Sequence, residues 1–379
     1  MKSNVTQIFK FKPIKLQFLR ERYGCSLREL AQKINYSTTT ISKWEKGKSV
    51  PSNEIVAKLA TIFNVHDNFF FSTGVIPNFS GTVFFRKGAV LPKRNEIEAK
   101  SQARLFAMVD QKITLDYGLR GYESYGIEEK NTQFQVLDKE EIKQKAIDLR
   151  NLLQLGDGPI NDMTHVAERM GIRVMFSDLD SEKIDAITCW VNDQPYIILN
   201  SRRLSSVRIR FNLAHEIGHI ILHSKYPQEI VNNTALHKTI EHEANQFAGE
   251  FLIPDRSLAL DMDRTNMQYL IELKRKWKIS LQALIYRGEE IGLISSRQAL
   301  FLRQTIYRNN WRINEPLDKS IPIEYPKFYN SVFNFLKIDV NQLVKKISSE
   351  TGLKTEDIFS MLGKSEINKK DHPVMKIIK

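Results

Sequence analysis

Apolar positions between residues 14 and 70 recur every three or four residues, in short runs broken by polar pairs. That period marks short amphipathic helices. Leu27, Leu30, Ala31 and Ile34 form one stripe; Asn35-Tyr36 interrupts it, and Asn tolerates the left-handed backbone of a tight inter-helix turn. Ser37 is placed to cap a helix that carries Ile41 and Trp44 inward and ends at Gly47, and Ser52 or Asn53 opens another with Ile55, Leu59 and Ile62. Residues 72–92, with Gly and Pro, read as a connector holding a short extended segment, followed by a long helix to about Gly118 and a loop. Asp138 caps a further helix, and Asn161 or Asp162 the next. Strands are expected over 172–176, 184–191 and 196–200, the last two joined by a hairpin loop. A helix from about Leu204 to His223 follows, then one over 239–254 stopped by Pro254. The run from Trp277 to Ile291, with Ser280 as a cap, is expected to pack on this core, although its pattern also suits a second helix pair like the N-terminal one. Two or three helices follow residue 320, and the polar segment from Ser365 onward is expected to fray.

The 204–223 helix carries unusual chemistry. FNLAHEIGHIILH, residues 211–223, holds three of the eight histidines of the chain. His215 and His219 are four apart and share a helical face, so both imidazoles can reach one ion at ~2.0–2.1 Å. Glu216 completes an HExxH pattern, in which the Glu stands beside the water rather than on the metal. Gly218 lies where close backbone packing would suit it. His223 sits about 12 Å along the axis from His215, too far to share an ion with both others, and suits an orienting role. A third ligand is expected from TIEHEANQFAGEFLIP, residues 239–254, where Glu241 and Asn245 are four apart; Glu243 is the rival, pointing roughly 200° away from Glu241. Asn245 could then orient a ligating His. His223, His237, His242 and nearby Tyr or Arg side chains are all candidates for stabilising an oxyanion, none singled out, and an exposed edge among strands 184–200 could pair with an extended substrate.

Composition narrows the classes. A chain of 379 residues exceeds one ordinary core, and 42% hydrophobic with 26% charged residues is globular. No apolar run is long enough for a bilayer, and MKSNVTQIFKFKP has no signal-peptide core. Two cysteines, Cys25 and Cys189, suggest neither a disulfide framework nor a cysteine metal site, and a cytoplasmic setting fits. A net charge of +12 favours a polyanionic partner.

SLRELAQKINYSTTTISKWEKGKSVPS resembles a helix-turn-helix of the phage-repressor (Xre/Cro) type. The resemblance implies that the second helix enters the major groove, with Thr38, Thr39, Ser42 and Lys43 toward base edges, while Arg28, Lys43, Lys46 and Lys48 could contact phosphates. Arg28 and Thr38 stand where that family often has Gln, and Asn35 where it often has Gly, so bidentate adenine readout is not offered there. SEKIDAITCWVNDQPYIILNSRRLSSVRIRFNLAHEIGHIILH, then IEHEANQFAGEFLIP, resembles the ImmA/IrrE family of metallopeptidases. That resemblance implies one Zn²⁺ per chain on His215, His219 and Glu241, Glu216 as catalytic base, and cleavage of a repressor-type protein.

The expected fold is therefore multidomain: an all-α helix-turn-helix domain over 1–72, a linker and connecting helix over 73–135, an α+β zincin-like metallopeptidase domain over 136–312, and a helical C-terminal region over 313–379. The expected function is a cytoplasmic DNA-binding regulator whose zinc peptidase cleaves a repressor, a toxin–antitoxin partner or itself, with a double-stranded operator as partner, no membrane, and a homodimer as the default assembly. The competing expectation is a non-proteolytic repressor or antitoxin whose zinc domain senses or binds a partner.

Overall fold

The computed structural model describes residues 10–72, 74–87, 92–123, 131, 133–179, 184–201 and 205–363. The polar segment from Ser365 and part of the loop after Gly118, residues 124–130 and 132, lie outside them, as does the expected helix start at Leu204. The chain forms two compact units, and neither is continuous in sequence.

The first unit takes residues up to Pro77, Pro92–Leu119 and everything from Lys327. It opens with α1 (Pro13–Arg22), α2 (Leu27–Ile34), α3 (Thr38–Glu45) and α4 (Asn53–Ile62), then a short 3₁₀ turn, Asp67–Phe70. The caps explain the boundaries. Ser26 and Glu29 form a reciprocal capping box on α2, Ser37 accepts from Thr40 N on α3, and Ser52 accepts from Ile55 N on α4. Asn35 ends α2 at φ 60°, ψ 50°, the left-handed turn expected of it. Ile41 and Trp44 are buried, with Leu30, Ile34, Val56 and Leu59. The long helix α5 (Lys93–Tyr117) follows, closed by Gly118 in the left-handed region.

The second unit takes 78–91 and 120–326. Its sheet has the order β1-β3-β4-β2, with β1 at Phe84–Lys87, β2 at Arg173–Ser177, β3 at Ile184–Val191 and β4 at Gln194–Asn200. β3 and β4 form an antiparallel hairpin whose two turn residues, Asn192 and Asp193, both have positive φ. That backbone twist matches the strands it joins. β2 runs parallel to β4. Before the sheet come α6 (Lys139–Leu152), with a capping box between Asp138 and Glu141, and α7 (Met163–Arg169), capped by Asp162. After it come α8 (Ser206–His223), α9 (Gln228–Val231), α10 (Thr234–Leu252), α11 (Asp255–Asp261), α12 (Met267–Trp277), α13 (Leu281–Glu290) and α14 (Ser296–Arg308). Leu213, Ile217 and Ile220 of α8, Phe247 and Phe251 of α10, Ile197 and Leu199 of β4, and Trp277, Leu284 and Ile285 share one core cluster. The Trp277–Ile291 run thus packs into the core.

The chain then returns to the first unit with α15 (Phe328–Phe335), α16 (Val340–Thr351) and α17 (Thr355–Met361). Tyr329 donates its hydroxyl to Asp110 of α5, His66 N donates to Gly352 O, and Asn68 donates to Ser349 O. Gly352 is required here: it closes α16 at φ 80°, and a Cβ would lie 2.3 Å from Phe69 N. The compact units therefore divide the chain differently from sequence order. The connecting helix and the last three helices join the helix-turn-helix, and residues 313–326 stay in the second unit, where Glu324 pairs with buried Arg210.

One sequence expectation is corrected in the sheet. No edge within 184–200 is open, because β3 is paired by β1 and β4, and β4 by β3 and β2. The strand β1 is a short extended segment within the 72–92 connector, as expected there.

Candidate metal centre

The site is built on two packed helices. α8 is buried along most of its length, so its polar residues His215, Glu216, His219 and His223, all at 0% exposure, lie inside the protein. Such groups are costly to bury without partners. α10 passes close to α8 at Gly218, where an added Cβ would stand 3.1 Å from Phe247 Cδ1 and 3.3 Å from Ala244 Cα and O. That close approach brings Glu241 to the imidazoles. Gly218→Val should therefore overpack the α8–α10 contact and lower stability by about 1–3 kcal/mol; chemical denaturation with zinc titration would check both effects.

His215 Nε2 lies 3.5 Å from one Glu241 carboxylate oxygen, and His219 Nε2 lies 3.4 Å from the other. The three donor atoms all fall within 4.8 Å of one another. Tetrahedral ligands at ~2.0–2.1 Å from zinc stand about 3.3–3.4 Å apart, so the observed spacings fit a shared ion. The imidazoles are held from behind. His215 Nδ1 lies 2.9 Å from Asn245 Oδ1, and His219 Nδ1 lies 3.0 Å from His223 Nδ1. His223 Nε2 in turn lies 2.9 Å from Glu243 Oε2, whose other oxygen accepts from Leu137 N at 3.0 Å. If His219 presents Nε2 as a lone pair toward Glu241, its Nδ1–H donates to His223, and His223 donates its Nε2–H to Glu243. One proton arrangement satisfies the whole row.

The electrostatics agree with a neutral imidazole in the middle. Burial pushes the His223 imidazole down to about 4, against the pull of Glu243. Burial alone would raise the Glu241 carboxyl, but the pull of the two imidazoles against it outweighs burial and holds it well below the usual range, a pull that a cation in the same place would also exert. Thr188 Oγ1 of β3 donates to Glu216 Oε2 at 2.5 Å. A buried carboxylate is thus fixed one residue along α8 from His215.

Of the sequence candidates, the structure brings together His215, His219, Glu216, Glu241, Asn245 and His223. Glu243 faces His223 and not the donor cluster. His223 is engaged on both ring nitrogens and fully buried, which removes it from the oxyanion candidates; His242 is exposed and His237 half-buried. Three contributors escaped the sequence reading. Glu243 was weighed only as a ligand, although a buried His at 223 needed a partner. Thr188 was visible as a hydroxyl within the apolar run IDAITCWV. Phe84, 2% exposed, stacks on the His219 ring at 4.6 Å and 11°; the extended segment around it gave no sign of which helix it would meet.

In the first unit Arg28, Thr38, Thr39 and Lys43 are exposed and Ser42 is half-buried, so the N-terminal turn of α3 presents short polar side chains to solvent. Lys46 and Lys48 are exposed just beyond it. Among the described residues, no helix is long and apolar enough to cross a membrane.

Comparison with protein families agrees with both halves. Residues 16–70 match the family described as Helix-turn-helix, and residues 167–289 match the peptidase M78 family, described as IrrE N-terminal-like domain. Comparison with curated proteins gives no match for the chain. The second span contains β2, β3, β4 and the helices that carry the donor cluster; β1 lies outside it. The chain is thus a fusion of an Xre-type helix-turn-helix domain with an IrrE/ImmA-like domain of the M78 peptidase family.

Proposed function

We propose that this protein is a DNA-binding regulator with a zinc-dependent endopeptidase that cleaves a repressor-type or toxin–antitoxin partner protein. The observation that carries the catalytic half is the convergence of His215 Nε2, His219 Nε2 and the Glu241 carboxylate, with a buried Glu216 alongside. His215, His219 and Glu241 would hold the zinc ion. Bound there, zinc supplies a lowered pKa for water and polarisation of the scissile carbonyl. Asn245 fixes the ring of His215, and the His223–Glu243 pair fixes that of His219, so both present Nε2 inward. Thr188 holds Glu216 in place, and Glu216 takes a proton from water and passes it to the leaving amine. Incubation of the zinc-loaded protein with candidate repressors, with and without chelator, tests this directly: no zinc-dependent fragment from any of them would remove the peptidase assignment.

The DNA-binding half rests on the exposed N-terminal turn of α3 and the cations around it. Arg28 and Lys43 act on phosphate, while Thr38, Thr39 and Ser42 face base edges. Lys43→Ala and Arg28→Ala should each weaken operator binding nearly equally across sequences and lower the slope of log K against log salt by about 1. Binding isotherms at several salt concentrations check this. An unchanged slope would remove these residues from the phosphate contacts.

A further inference from the structure

The strand closest to Glu216 is β3, whose Thr188 holds that carboxylate. One edge of β3 is taken by β4. The other is filled from outside the span that matches the peptidase family. Ser80 N donates to Trp190 O at one end of β3, and β1 continues antiparallel, with Phe84 opposite Thr188, Phe85 opposite Ile187 and Arg86 opposite Ala186. The segment therefore follows β3 from near its C-terminal end to Ile184. It passes so closely that a Cβ on Gly81 would stand 3.0 Å from Trp190 Cβ.

Its residues Thr82, Val83 and Phe84 are all buried, as those of a seated extended peptide would be. Thr82 Oγ1 donates to Tyr226 O at 2.6 Å, and Phe84, two residues on, lies flat on His219. Between them Val83 turns its main chain outward to Gln228, whose side-chain amide accepts from Val83 N at 2.8 Å and donates to Val83 O at 3.1 Å. A side-chain amide here does what a further strand would do. Main-chain pairing along an edge combined with a buried aromatic over a metal-site ring is a recognition pattern, and a mere cover would need only apolar bulk.

Resting on the peptidase reading above, we infer that residues 80–87 occupy the groove of the substrate strand, and that the substrate is an extended peptide segment bearing an aromatic side chain where Phe84 lies over His219. The chain holds its own groove closed, and a substrate enters by displacing this segment. Affinity for substrate is then reduced by the fraction of molecules in which the segment is seated.

The test uses the full chain loaded with zinc and carrying Glu216→Gln, so that bound peptide persists. The probe is a fluorescein-labelled peptide of residues 79–87, FSGTVFFRK, followed by anisotropy. Adding Phe84→Ala to the chain should tighten peptide binding by about tenfold or more, and a peptide with alanine in place of that phenylalanine should gain nothing. A folded Phe84→Ala chain that binds the peptide no better than its parent overturns the inference, because β1 would then be a permanent part of the sheet. Should Phe84→Ala fail to fold, Thr82→Val and Gln228→Ala loosen the segment without touching the ring. They should shift binding in the same direction, and no gain in either overturns the inference equally. Peptide binding without cleavage by the Glu216 chain would leave the groove standing and remove the peptidase. Cleavage of a protein that the peptide cannot inhibit in the loosened variants would do the reverse.

Discussion

Glu216→Gln is expected to keep its fold, zinc content and operator affinity while losing cleavage by about 10²–10⁴-fold, the contribution of a positioned general base. The substitution is close to isosteric, and a glutamine carbonyl can still accept from Thr188 Oγ1, so the buried position at 0% exposure remains filled and bonded. What it removes is the capacity to take a proton. Elemental analysis for zinc, gel-shift titration and cleavage of a partner protein read the three properties separately. Cleavage at the parent rate would exclude Glu216 as base. Normal regulation of the target in cells by the substituted chain would support the competing account, in which the zinc domain senses or binds and does not cut.

The second large effect separates two acids that are neighbours in sequence and opposite in role. Glu241→Ala deletes one of three zinc ligands and should lower zinc affinity by more than about 100-fold, while Glu243→Gln acts only through His223 and should cost roughly 10–100-fold. The reason is geometric. Glu241 stands 3.4 Å and 3.5 Å from the two imidazoles, whereas Glu243 is 2.9 Å from His223 and reaches neither. Competition titration against a zinc-binding dye gives both values. A larger loss from Glu243→Gln than from Glu241→Ala would reverse the assignment of ligand and support.

The helical elements were legible because their signals are local. Ser37, Ser52, Asp138, Asp162 and Ser280 each cap a helix through their own side chain, and α2 keeps the apolar stripe Leu30, Ala31 and Ile34 buried. The donor pair on α8 was legible for the same reason, since four-residue spacing is a property of one helix. Contacts between elements were harder to read. The bond from His223 to Glu243 joins two helices 20 residues apart, and that from Thr188 to Glu216 joins strand to helix. Neither leaves a periodic trace. The extended conformation of β1 was legible, but its pairing with β3 was not, because that depends on the edge it meets. The same holds for the division into units, where the contacts between residues 65–69 and 349–353 follow from the path of the whole chain.

That division bears on how damage to the gene would present. The last three helices complete the unit that holds the helix-turn-helix: Val65 and Leu353 bridge, Arg22 pairs with Asp357, and Lys112 with Glu350. A reading frame terminated at codon 327 would leave the second unit, with its M78 match, entire, yet remove from the first unit the turn at Gly352 that packs on Phe69. A late nonsense mutation would then damage the helix-turn-helix unit and spare the unit that carries the His-His-Glu cluster.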